Sequence, residues 1–227
     1  MKARIRMRDV IGTIVAGVLI MMEQNATANA SGPTSPPTKV DAWDLADDFE
    51  KINQQWASIV EVLEHEDYYN IRSDGVSAWS CGEQAAHLAI VNTFIAENIE
   101  QNLAHPERDK DGEQIPIVQQ VLKGGTIPRG AGKAPAELKP EGKTREDYLA
   151  MFKTARAAWG KMAEVKGQLP GCPARFKHFA FGQLTSVEWV RLSAIHNAHH
   201  LKIIRDILKA AGKTDAYGKA IQAPIEE

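Results

Sequence analysis

Four stretches of the chain repeat apolar residues at three- and four-residue steps, and three of the four open on the same kind of cap. A run with that period presents one apolar stripe per helix, which another element must cover. The first stretch, from about Asp41 to Asp67, carries Trp43, Phe49, Ile52, Trp56, Ile59 and Leu63. The second starts at Ser80, with Glu83 three residues on, and reaches about Leu103 with Leu88, Val91, Ile95 and Ile99 inward. Serine followed by glutamate at that distance is a capping box, in which each side chain accepts the other residue's backbone N–H. The third starts at Thr144, with Asp147 three on, and lines up Tyr148, Met151, Ala155, Ala158, Met162 and Val165 before Gly167 and Pro170 end it. The fourth starts at Thr185, with Glu188 three on, and runs to about Ala211, where Gly212 suits the position after a helix. No internal repeat and no strand-like alternation stands out. The expected fold is all-α, an antiparallel four-helix bundle over residues 41–212.

The segments outside the stripes divide into three kinds. His105 to Lys143 is rich in glycine and proline, from Gly124-Gly125 through Pro128, Gly130, Gly132, Pro135 and Pro140 to Gly142. It reads as a long irregular loop between the second and third helices, with a short helix near Ile117 to Lys123. A connection of that length is either a solvated excursion or a cover over a pocket. At the N-terminus, Lys2, Arg4, Arg6 and Arg8 precede the run VIGTIVAGVLIMM and then Ala28-Asn29-Ala30. That is the order of a secretory signal, and the run is too short to span a bilayer. The reading is a signal peptide over 1–30, a proline- and serine-rich linker over 31–40, and a loose tail over 213–227. The product is then expected outside the cytoplasm, periplasmic or extracellular, with no stable membrane span after cleavage.

Composition narrows the function classes. With 44% hydrophobic and 25% charged residues, a chain of 227 can bury a core without disulfides. The formal net charge of -2, with basic residues spread along the chain, speaks against a nucleic-acid partner. The two cysteines, Cys81 and Cys172, do not form a CxxC pair, so cysteine-based zinc binding is not expected. In an oxidising compartment they can pair if they share one end of the bundle, but the fold does not require it.

The histidines carry the chemistry. On a wheel of about 100° per residue with Trp189 at zero, His196 falls at about 340° and His200 at about 20°, in the centre of the stripe of Trp189, Ile203, Ile204 and Ile207. His199 falls at about 280°, on the margin beside Glu188 and Asp206. Two imidazoles spaced i, i+4 on one face can share one metal ion, and each buried ring otherwise needs a polar partner. His87 is the helical histidine elsewhere that faces inward. Spacing alone leaves open whether it reaches the other two, or whether all three are buried polar residues paired within the bundle.

The segment Trp79-Ser80-Cys81-Gly82-Glu83-Gln84-Ala85-Ala86-His87-Leu88 resembles the second helix of DinB-like proteins, where a tryptophan precedes a His-Leu pair. His196-Asn197-Ala198-His199-His200 resembles their last helix, and the stretch from Phe176 to Leu208 is similar to one bacterial branch of that superfamily. The resemblance covers roughly Asp41 to Gly212. It implies a bundle with a divalent ion, zinc or nickel, on His87, His196 and His200. The chain departs from the pattern at Lys202-Ile203-Ile204, where a glutamine is usual, and in its export signal.

Three neutral histidines leave a coordination position open, the layout of a catalytic zinc. The expected function is metal-dependent hydrolysis of an unidentified small molecule. The alternatives are a thiol-dependent S-transferase of the DinB-like type, using bacillithiol, mycothiol or glutathione, and a non-catalytic metal-binding, stress-associated protein. Little of those thiols is available outside the cell, which favours hydrolysis. His178, just ahead of the fourth helix, is the candidate catalytic proton carrier, against a local packing role. A homodimer is left open.

Overall fold

The computed structural model describes residues 44–108, 112–130 and 133–213. The expected signal segment, the linker, Trp43 and the tail after Lys213 lie outside the described residues.

The described chain is mostly helical. The first long helix, α1, spans Leu45–Glu64, with the Asp44 carboxylate accepting from the N–H groups of Ala46 and Asp47. It stops at Glu64 rather than Asp67, because His65 turns extended (φ -93°, ψ 106°) and a single further turn, α2 (Glu66–Tyr69), follows. That break lays the Tyr69 ring against Gly82, where an added Cβ would meet it at 2.3 Å. Helix α3 (Cys81–Ala104) opens on the Ser80/Glu83 capping box. Helix α5 (Arg145–Glu164) opens on Thr144/Asp147 and α6 (Ser186–Ala210) on Thr185/Glu188, both with the reciprocal bonds formed. The four long helices pack on one another, α1 against α6, α3 against α5 and α6, and α1 against α3 and α5. Between them lies one core that includes Trp56, Phe152, Ile59, Leu88, Ile95, Ile99 and Ile204.

Two features fix the helices around the site. Asn92, Ser193 and Asn197 are fully or almost fully buried where α3 meets α6. Asn92 Nδ2 donates to Asn197 Oδ1 at 2.9 Å, and Ser193 Oγ donates to Asn92 Oδ1 at 3.0 Å. A directional pair in an apolar interface sets which turns face each other, since a slipped register strands both amides. Second, Arg191 on α6 pairs with Asp48 on α1 at 2.7 Å and donates to the Leu122 carbonyl at 3.2 Å.

The mostly helical structure fits the all-α expectation, with one small sheet added to it. Strands β1 (Arg175–His178) and β2 (Gly182–Thr185) form an antiparallel hairpin just ahead of α6, with Arg175 opposite Thr185 and His178 opposite Gly182. Each strand has four residues and turns only one large apolar side chain, Phe176 or Leu184, into the core, too little to register as alternation. The long loop is tied to this hairpin. Ile115 N–H donates to the Phe181 carbonyl and Gln183 N–H to that of Glu113, while Gly182 holds φ +76°. A Cβ at Gly182 would stand 2.3 Å from the Glu113 oxygen, so only glycine admits that approach. The short helix expected in the loop is α4 (Ile117–Gly124), which buries Val118, Val121 and Leu122.

The cysteines are free and buried. Cys81 begins α3 and lies against the Ile204 carbonyl, whereas Cys172 lies against that of Asn102 near the other end of α3. Twenty-one helical residues separate those contacts, about 30 Å, so the two sulfurs do not share an end and the pairing considered from sequence does not form. Among the described residues, no helix is long and apolar enough to cross a membrane.

Candidate metal centre

Helix α3 supplies His87 one turn after the buried Gln84, and α6 supplies His196 and His200 one turn apart. The three rings meet at steep angles, with centroids 5.1 Å apart for His87 and His196, 4.7 Å for His87 and His200 and 4.5 Å for His196 and His200. Their Nε2 atoms converge: that of His196 lies 3.3 Å from His87 Nε2 and 3.1 Å from His200 Nε2. Together they form a cluster able to hold a metal ion. His87 and His200 are buried and His196 keeps partial exposure.

The protons can be placed. His87 Nδ1 lies 2.7 Å from the Leu138 carbonyl, an acceptor only, so Nδ1 carries the hydrogen. His200 Nδ1 bonds Gln84 Oε1, which likewise only accepts. Burial pushes the His87 imidazole down to about 4. Burial, and then the neighbouring histidines, hold His196 and His200 well below the ordinary range. Each neutral ring has one N–H, and in His87 and His200 it is spent at Nδ1. Two bare Nε2 lone pairs therefore aim at His196 Nε2, which has at most one hydrogen to give. A cation resolves that repulsion. Nitrogens about 2.0–2.1 Å from a tetrahedral ion sit about 3.3 Å apart, close to the 3.3 and 3.1 Å that separate His196 Nε2 from its two neighbours.

The surroundings are specific. Leu138 belongs to a 3-10 turn (Ala136–Leu138) in the long loop, so that part of the loop lies over the ligands rather than in solvent. The Trp79 ring lies 5.1 Å from His87 and 6.5 Å from His200. His199 stands outside the cluster, its ring at 90° to that of His200, with the Ile127 backbone and Arg129 close enough to act on its pKa. That is the outward placement the helical wheel gave.

His178 is not among the clustered ligands. It ends β1 and stacks on Phe179 and Phe181, with centroids 4.5 Å away in each case, and lies 5.2 Å from Trp189. Trp189 precedes His196 by two turns on the same face of α6, about 10 Å along the axis. The Ala180 N–H donates to His178 Nδ1 at 3.0 Å, which leaves the hydrogen on Nε2. Burial pushes its pKa down to about 3, so at neutral pH it is a neutral donor with little capacity to carry protons.

Sequence reasoning missed Gln84 and Leu138. Gln84 stood one turn before His87 inside the quoted motif, and that spacing was its only signal. Leu138 contributes a backbone carbonyl, which leaves no trace in residue type.

Mostly helical architecture, a three-histidine cluster between two helices and a loop bonded to one of the three define a helical protein with a metal-type donor set. The family model described as the DinB superfamily matches residues 48–204, and the chain belongs to that superfamily. No curated protein and no solved structure matches it.

Proposed function

We propose that this protein is a divalent-metal-dependent hydrolase of a small molecule, acting outside the cytoplasm after loss of residues 1–30. In this reading the helices form the antiparallel four-helix bundle of DinB-like proteins, and His87, His196 and His200 hold zinc or nickel. The observation that carries it is the spacing of three Nε2 atoms at 3.1 and 3.3 Å, with the N–H of two rings turned away. An ion bound there supplies Lewis acidity, the property that makes water nucleophilic near neutral pH.

The remaining work belongs to the chain. The Leu138 carbonyl and Gln84 hold two ligand rings in orientation. Trp79 walls one side of the cluster and limits water there. His178, with its hydrogen on Nε2, donates a hydrogen bond to the distal end of a substrate and carries no proton itself.

Tag-free protein, stripped with chelator and reloaded with zinc or nickel, tests this on 4-nitrophenyl acetate and 4-nitrophenyl phosphate. Hydrolysis should appear on loading, vanish on chelation and be absent in His196→Ala. Equal rates for loaded and stripped protein would count against hydrolysis. Metal-dependent consumption of glutathione with an electrophile would reassign the site to S-transfer.

A further inference from the structure

Gln84 is 2% exposed and has both ends of its amide engaged. Its Oε1 accepts from His200 Nδ1–H. Its Nε2 donates to Ser77 Oγ at 2.8 Å, and that same oxygen accepts from the Trp79 N–H at 3.0 Å. An amide in isolation can flip and present either end. Here the nitrogen lies toward Ser77, whose Oγ also takes the Trp79 N–H, and the oxygen lies toward His200, the arrangement that leaves His200 Nε2 free of hydrogen for an ion. We infer that Gln84, anchored on Ser77, is a positioning residue: it sets the tautomer and ring angle of His200 and thereby the affinity of the cluster for a divalent ion.

The three rings are held unequally. His87 is fixed by a loop carbonyl, Leu138. His200 is fixed by a side chain that is itself fixed. His196 Nδ1 is buried without a hydrogen-bond partner. The chain from the Trp79 N–H through Ser77 and Gln84 to His200 therefore links the loop ahead of α3 to a ligand on α6. The acceptor is a neutral amide, which orients the ring without adding negative charge, whereas a carboxylate there would also make the ligand more basic. Groups that hold a ligand in this way are worth about 10- to 100-fold in metal affinity. This rests on the metal-binding reading above, and its test separates the two.

Gln84→Met keeps the side-chain volume and removes the acceptor, Gln84→Glu keeps an acceptor, and Ser77→Ala frees the amide to flip. Cobalt(II) affinity of each full-length protein is read by competition with a chelating indicator, with the visible spectrum of the bound ion as a second readout. Gln84→Met should weaken binding by about 10- to 100-fold and alter the spectrum, Ser77→Ala should weaken it less, and Gln84→Glu should restore or exceed wild-type affinity. In parallel, long-range nitrogen–proton correlation spectra of the metal-free proteins report the His200 tautomer. Wild type and Gln84→Glu should show hydrogen on Nδ1 alone, and Gln84→Met a mixture. Unchanged affinity together with an unchanged tautomer in Gln84→Met overturns the inference while leaving the metal site standing. Wild-type protein that binds no cobalt overturns the metal reading, and the tautomer spectra still decide the role of Gln84.

Discussion

Removing Arg191 should expose how the site helix is seated. Its side chain is 16% exposed and that of Asp48 2%, so Arg191→Met leaves a carboxylate buried between α1 and α6 without its counter-ion. It also leaves the Leu122 carbonyl without its side-chain donor. Breaking a buried pair on one side costs about 3–5 kcal/mol, which for a chain of this length lowers Tm by roughly 6–20 °C. The loss carries a pH signature. Burial already raises the Asp48 pKa, and the two strongest opposing influences both come from Arg191. Without them the folded-state pKa rises further above the unfolded value. The folded variant then binds more protons than the unfolded chain, so its stability relative to wild type recovers as pH falls. Urea unfolding of both proteins at pH 7.5 and pH 5 measures this, and acid effects common to both cancel in the difference. Asp48→Leu combined with Arg191→Met should recover most of the loss. A cost below about 1 kcal/mol, or one equal at both pH values, would mean that the Arg191–Asp48 pair does not seat α6 on α1.

Three further outcomes follow. Because burial depresses His87 to about 4 and His178 to about 3, and holds His196 and His200 low, the unfolded metal-free chain takes up protons below 6.5 before the folded one does. Stability should therefore be intact above 6.5 and fall between 6.5 and about 4, with a shallower fall in His178→Phe, as acid titration followed by circular dichroism would report. Gly182→Ala forces a Cβ to within 2.3 Å of the Glu113 oxygen at φ +76°, and should cost about 2 kcal/mol and speed amide exchange at Ile115 and Gln183. Ellman's reagent should find no reactive thiol in native protein, where burial pushes Cys81 up to about 12, and both thiols after denaturation without reductant.

How far the sequence carried depends on the kind of signal. The caps at Ser80, Thr144 and Thr185 were legible because a capping box is local chemistry at a fixed spacing, and all three form. The wheel separated His196 and His200 from His199 because rotation per residue is nearly constant in a helix. Convergence with His87 was not legible from spacing, since it depends on how α3 packs on α6, and only the resemblance supplied it. The hairpin escaped because its two buried residues lie too close to an end to establish a period. The helix break at His65 escaped because no glycine or proline marks it. The loop's role escaped because it acts through the Leu138 carbonyl. His178 was found, but its surroundings were not legible, since the aromatic rings packed on it come from the hairpin turn and α6.

In the proposed site His87, His196 and His200 share one ion and His199 lies outside it. Elemental analysis of tag-free wild type, His200→Ala and His199→Ala, each equilibrated with zinc and passed through a desalting column, measures this directly. Wild type and His199→Ala should each hold one bound ion per chain, and His200→Ala should lose its bound metal. Equal metal in wild type and His200→Ala, or loss only in His199→Ala, would contradict it.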